Sequence, residues 1–257
     1  MDRKNAERWD GVAVDFQRTY GLGPSEYSRK LLSFWQERGM IFPACRVLDI
    51  GCGVGKYGAR LAALGCDVTL TDISPEMIRL AEGNMAASES PWRTFVCDFD
   101  AVTGRESVFQ GGFDFSLSTM SPAVHDAATV LKMSRMTHGC CFIARFSSWH
   151  QPDRDRLLER LGIPAEKAGG SLAGDCEEII NAVKDAGFTP EIKYVDYCWC
   201  DRRTPQETAD YLLRRHPALA ETGREKILRA AESLCDGDGL FTDRVDTSVA
   251  WVFWRTE

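Results

Sequence analysis

From residue 45 onward, apolar residues fall in two alternating patterns. Short continuous runs, Cys45–Ile50, Asp67–Asp72, Trp92–Cys97, Phe113–Ser118 and Gly139–Phe146, have the length of strands buried on both faces. Between them lie stretches with helical spacing. Lys56 to Leu64 is stopped by Gly65. A second helix opens at Ser74-Pro75, a hydroxyl N-cap followed by proline at the first helical position. Ser121-Pro122 repeats that signal and predicts a helix running to about Met136. Strands alternating with helices at this spacing predict a parallel sheet covered on both faces, with ligands beyond the carboxyl ends of the strands.

The flanks differ. Residues 1–40 are amphipathic and dotted with aromatics, and predict two or three helices broken at Gly21-Leu22-Gly23-Pro24. After residue 147 the spacing predicts a helix at Asp153–Leu161, a glycine-rich loop, a helix at Asp175–Ala186 and a strand at Glu191–Cys200. Two helices within Thr204–Cys235 and a last strand at Val245–Trp254 follow. Two late strands after a parallel sheet suggest an antiparallel hairpin at its edge. The expected organisation is a helical cap over 1–40 and one domain over 41–257, with helical insertions at 147–175 and 201–240.

Composition narrows the partners. A net charge of -7 argues against nucleic acid, whose phosphates need a basic surface. The pairs Arg202-Arg203 and Arg214-Arg215-His216 read as solvated helix surface. No stretch approaches the roughly 20 apolar residues of a membrane span. Ten cysteines in a chain that opens without the apolar run of a signal peptide predict reduced thiols and a cytoplasmic setting. Cys198 and Cys200 share a strand face and read as packing rather than a metal site; no metal ligands are expected.

The chemistry concentrates at the strand ends. In Val47-Leu-Asp49-Ile-Gly51-Cys52-Gly53-Val-Gly55, glycines let the chain turn sharply and approach a ligand closely. Asp49 is placed to accept from an ammonium. Asp72, about 20 residues past the turn, is placed to accept from two ribose hydroxyls. Asp98, in Cys97-Asp98-Phe99, can accept from an adenine amino group, while Phe99 offers a backbone N–H and a ring face. Ammonium, ribose and adenine together describe S-adenosylmethionine (SAM). Gly53-Val-Gly55-Lys-Tyr-Gly58 also matches the dinucleotide fingerprint, but that register leaves Asp49 without a task. A P-loop fails, because position 50 is Ile and position 57 is Tyr.

Residues 45 to about 146 resemble the class I SAM-dependent methyltransferases, closest to the small-molecule branch that includes the ubiquinone and menaquinone biosynthesis enzymes. The run Val47–Gly55 matches the family's first motif, and Thr71–Met77 is similar to its second. The resemblance implies a doubly wound, seven-stranded, mostly parallel α/β sheet with an antiparallel last strand, and SAM as cofactor. It further implies that Asp72 holds the ribose, Ile73 and Met77 flank the adenine, and Ser118 ends strand 4 beside the cofactor. A methyltransferase acting on a small molecule is the expected activity. The alternatives are a SAM-binding protein without catalysis and a nicotinamide-dependent oxidoreductase. For a general base the sequence offers His125, expected in the first turn of the helix after strand 4, where the helix N-terminus would keep its imidazole neutral. His150 and Tyr20 are weaker candidates.

Overall fold

In the computed structural model, residues 2–23, 25–163, 175–215 and 217–256 are described. The side chain of Tyr20, most of the expected glycine-rich loop (164–174) and His216 lie outside the described residues. The chain divides into two compact units. The first comprises 1–145, 176–193 and 250–257; the second comprises 146–175 and 194–249.

A seven-stranded sheet of order β3-β2-β1-β4-β5-β7-β6 runs through the first unit, and its last three strands in chain order continue into the second. Its strands are β1 (Arg46–Ile50), β2 (Asp67–Asp72), β3 (Trp92–Val96), β4 (Phe113–Thr119), β5 (Thr137–His150), β6 (Glu191–Arg203) and β7 (Phe241–Arg255). Strands β1 to β5 pair in parallel and the last strand is antiparallel. Residues 47–50 of β1 are all buried, as a central parallel strand covered on both faces requires. Parallel register brings Ile50, Asp72, Val96 and Thr119 to one edge of the sheet, and the strand order reverses between β1 and β4. That edge is where such sheets bind ligands.

Helices α1 (Arg3–Asp10), α2 (Ala13–Tyr20) and α3 (Glu26–Glu37) precede the sheet; α4 (Lys56–Ala63), α5 (Pro75–Met85) and α6 (Ala127–Arg135) lie between its strands. Helix α3 buries Leu31, Phe34 and Trp35. The Trp35 ring meets Phe115 at 5.3 Å and Phe142 at 5.2 Å, both edge-on, the arrangement aromatic quadrupoles favour. Trp251 donates its indole N–H to the Tyr27 hydroxyl at 2.9 Å. Replacing Trp35 by Ala would leave a cavity costing roughly 3–5 kcal/mol.

One sequence expectation is corrected. The helix after β4 starts at Ala127, not at Ser121-Pro122. Ser121 instead accepts the Ala123 N–H at 3.3 Å, a local hydroxyl turn. Asp126 caps the helix, accepting from the Thr129 N–H at 2.8 Å, while the Thr129 hydroxyl accepts from the Asp126 N–H at 3.1 Å. This reciprocal capping box outweighs the Ser-Pro signal upstream. His125 therefore precedes the helix rather than sitting in its first turn. The long strands also overrun their expected ends, because apolar counting stops early. In β7, residues 241–249 alternate buried and less buried positions, a half-covered strand pattern.

The second unit carries α7 (Pro152–Arg160), α9 (Pro205–Arg215) and α10 (Arg224–Glu232), packed through Leu157, Leu158, Leu212, Ile227 and Phe241. Arg154 and Asp243 form a buried ion pair, and Arg203 lies 4.2 Å over the Tyr211 ring. Helix α8 (Asp175–Asp185) returns the chain to the first unit, where Ile179 and Val183 join the core.

Candidate active site

The β1–α4 turn is pinned by the Gly51 and Cys52 N–H groups, which both donate to the Thr71 carbonyl of β2, at 2.8 and 2.9 Å. Gly51, Gly53 and Gly55 all have positive φ. Two of them serve different ends. A Cβ on Gly51 would fall 1.8 Å from the Ser121 hydroxyl, so its glycine is demanded by packing against the loop after β4. A Cβ on Gly53 would meet nothing within 4 Å, and its φ of 54° strains any other residue. Gly53 therefore borders open space at the sheet's carboxyl edge.

Asp49 is the penultimate residue of β1, beneath that turn. It is 1% exposed and neither carboxylate oxygen has a hydrogen-bond partner. Burial, and then the charge of Asp72, push its carboxyl up to about 8. A buried carboxylate without a donor is costly unless a ligand supplies the missing positive charge.

Asp72 is fixed from two sides. Its oxygens accept from the Gly53 N–H and the Ser74 N–H, each at 2.9 Å. Burial raises its carboxyl, with a smaller push from Asp10, while those N–H bonds pull it down. Ile73 is half-buried, and Met77 is buried in a small cluster with Ala13 and Val54. Asp98, after β3, accepts from the Asp100 N–H at 3.2 Å and from the Asp2 N–H at 3.0 Å. The Phe99 ring is 3% exposed and belongs to the core, with the Lys132 ammonium 5.2 Å from its centroid. Of the two features expected of Phe99, the ring face is thus turned into the core. The Cys52 thiol is half-buried and donates to the Gly53 carbonyl; burial holds it well above its ordinary value. Ser118 is wholly buried near the end of β4, and its hydroxyl has no partner.

His125 is half-exposed, with Nε2 3.9 Å from both the Asp100 and Asp126 carboxylates. His150 is in the second unit, beside an open hollow of about 440 Å³ that is also lined by Asp196, Cys198 and Asp246. Cys198 and Cys200, expected to pack in the core, are instead exposed. Among the described residues, no group of three or more His, Cys, Asp or Glu side chains could hold a metal ion.

Three features had no local sequence signal. Asp10, at the end of α1, accepts from the Ser74 hydroxyl and from the Glu76 N–H at 3.0 Å. Arg145, buried in β5, donates to the carbonyls of Val124 at 2.6 Å and Ala144 at 2.9 Å, bracing the loop after β4. Met120, the first residue after β4, has a φ of 52°, a strained value for a side chain of its size.

Comparison with known proteins agrees with this geometry. The methyltransferase domain family matches residues 47–139. The ubiquinone biosynthesis O-methyltransferase of Xanthomonas campestris is 46% identical over 39 residues, 15% of this chain and 16% of that protein. Its counterpart in Burkholderia pseudomallei is 24% identical over 128 residues, 50% of this chain and 46% of that protein. The chain thus spans less than half the length of the curated relatives it matches. In fold it is similar to the magnesium protoporphyrin IX methyltransferase of Synechocystis with bound SAH, with a TM-score of 0.56 and 16% identity over 76% of this chain and 93% of that one. A sarcosine dimethylglycine methyltransferase of Galdieria sulphuraria gives 0.52 at 13% identity, over 90% of this chain and 85% of that one. Residues 47–139 thus match a methyltransferase domain, on a fold similar to that of solved methyltransferases. Its sequence likeness is to ubiquinone biosynthesis O-methyltransferases.

Proposed function

We propose that this protein transfers the methyl group of SAM to a small-molecule acceptor. The observation that carries the reading is Asp49, a buried carboxylate with both oxygens unpartnered, under a turn whose Gly53 borders open space. The α-ammonium of SAM supplies the charge that Asp49 lacks. A nicotinamide dinucleotide would instead bring an anionic pyrophosphate, which supplies no cation to the buried Asp49 and is repelled by Asp72.

The residues divide the cofactor between them. Asp72, held by two backbone N–H groups, is oriented before any ligand arrives and accepts from both ribose hydroxyls. Asp98 accepts from the adenine amino group, with the Phe99 N–H beside it. Ile73 and Met77 flank the adenine, and Gly51, Cys52 and Gly55 shape the turn around the amino-acid tail. The Ser118 hydroxyl, buried without a partner, is available to the reacting end. When bound, SAM supplies an electrophilic methyl group on a sulfonium. The protein's part is to align the acceptor in line with that methyl and to exclude water. Where the acceptor must lose a proton, His125 is the base, with the Asp100 and Asp126 carboxylates stabilising the imidazolium that forms.

A small molecule as acceptor, rather than nucleic acid, is supported by the net charge of -7 and by the relatives' names. The setting we assign the protein is the cytoplasm, where the ten cysteines of the sequence persist as thiols. No helix among the described residues is long and apolar enough to cross a membrane. The test is transfer of a labelled methyl from SAM to components of a metabolite extract. Enzyme-dependent label in a small molecule is expected. SAM binding without transfer to any fraction would leave a non-catalytic SAM-binding protein.

A further inference from the structure

Helices α1 and α2 lie outside the matched methyltransferase segment, yet their residues and the α1 N-cap bond to Asp98, to Ser74 beside Asp72 and, through Asn84, to the glycine turn. The Asp2 N–H donates to Asp98 at 3.0 Å. Gln17 and Asn84 exchange two amide hydrogen bonds, at 3.0 and 2.9 Å, and Asn84 also donates to the Val54 carbonyl in the glycine turn at 2.7 Å. Between these contacts sits Asp10, whose Oδ1 accepts from both the Ser74 hydroxyl and the Glu76 N–H. Ser74 is the hinge of the arrangement. Its hydroxyl oxygen accepts from the Met77 N–H at 3.0 Å as the N-cap of α5, and its own N–H donates to Asp72 at 2.9 Å. One carboxylate from α1 thereby fixes the residue that orients the carboxylate assigned to the ribose.

We propose that Asp10 is a positioning residue for the cofactor, acting through Ser74 on Asp72. This rests on the reading of Asp72 as the ribose acceptor. Asp10 also takes up a first-turn N–H of α5 that Ser74 does not reach, so its loss loosens the α5 entry as well as Asp72. An Asn at position 10 keeps an acceptor oxygen in the same place. An Ala removes it, and a Glu displaces it by one methylene.

The experiment has two arms, both on the full chain. In the first, amide exchange of Ser74 and Glu76 is followed without ligand. Asp10→Ala and Asp10→Glu should speed it about tenfold, and Asp10→Asn should stay near wild type. In the second, calorimetry measures the affinity for SAH, the demethylated form of SAM. Ala and Glu should weaken it about five- to tenfold, with Asn within twofold, and in turnover the KM for SAM should rise with kcat little changed. Faster exchange with unchanged SAH affinity would make Asp10 a helix cap only and overturn the proposal. Wild-type behaviour in both arms, in whichever of the Ala and Glu variants folds, would overturn it too. No SAH binding by the wild type would remove the cofactor reading, and the proposal with it.

Discussion

Replacing Asp49 by Asn should stabilise the ligand-free protein and abolish its affinity for SAM. Folding holds the Asp49 carboxyl at about 8, against an ordinary value near 3.8. Above pH 3.8 the unfolded chain has released this proton while the folded protein still binds it. Folded stability therefore falls as pH rises, and the loss is complete once pH passes the folded value near 8. Each unit is worth about 1.4 kcal/mol, so from pH 5 to 8 this group removes about 4 kcal/mol. Asparagine has similar volume and no charge to bury, so its advantage over wild type should grow by that amount across the same window. At roughly 2–4 °C per kcal/mol for a chain of this size, the gap in melting temperature widens by about 8–16 °C. Thermal unfolding of both proteins at pH 5 and pH 8, with and without SAH, measures it. The wild type should gain stability from SAH, most strongly near pH 8 where the ammonium meets an ionised Asp49, and the variant should gain none. A gap that stays constant between pH 5 and pH 8 would refute the argument, because Asp49 would then be no more protonated folded than unfolded.

Asp72→Ala removes a charge-assisted acceptor and should weaken SAH binding by about 1.5–3 kcal/mol per lost bond, read by calorimetry; unchanged affinity would remove Asp72 from the ribose. Gly53→Val puts a branched side chain into the open space beside the turn at a φ of 54°, and should abolish SAH binding while circular dichroism stays native; retained binding would mean this turn does not face the cofactor. His125→Gln should lower kcat about 100-fold or more for an acceptor that must lose a proton, with KM for SAM unchanged; full activity would leave methyl transfer to alignment alone.

What the sequence makes legible is what is encoded locally. The runs at β1 and β2 carry their buried character in consecutive residues, and Ser74-Pro75 caps α5 through its own hydroxyl. Asp49 and Asp72 are readable because they lie at the carboxyl ends of neighbouring strands, the first of which leads into a glycine turn. Ser121-Pro122 misleads because a hydroxyl turn and an N-cap share residue types, and the choice falls to the Asp126–Thr129 pair five residues on. Phe99 is readable as an aromatic beside an acid, but the side its ring takes depends on the core around it. Asp10 and Arg145 leave no pattern at all. The first meets Ser74 across 64 residues, and the second sits inside an apolar run, satisfied by carbonyls that only the folded chain brings near.

In the proposed function, the acidic carboxyl edge of this sheet receives the ammonium-bearing adenosyl ligand SAM. Calorimetry of the purified protein with SAM, SAH and NAD⁺ side by side tests it most directly. Saturable one-to-one binding of SAM and SAH, lost in Asp49→Asn, is expected, with no binding of NAD⁺. Binding of NAD⁺, or SAM affinity that survives the loss of the Asp49 charge, would contradict it.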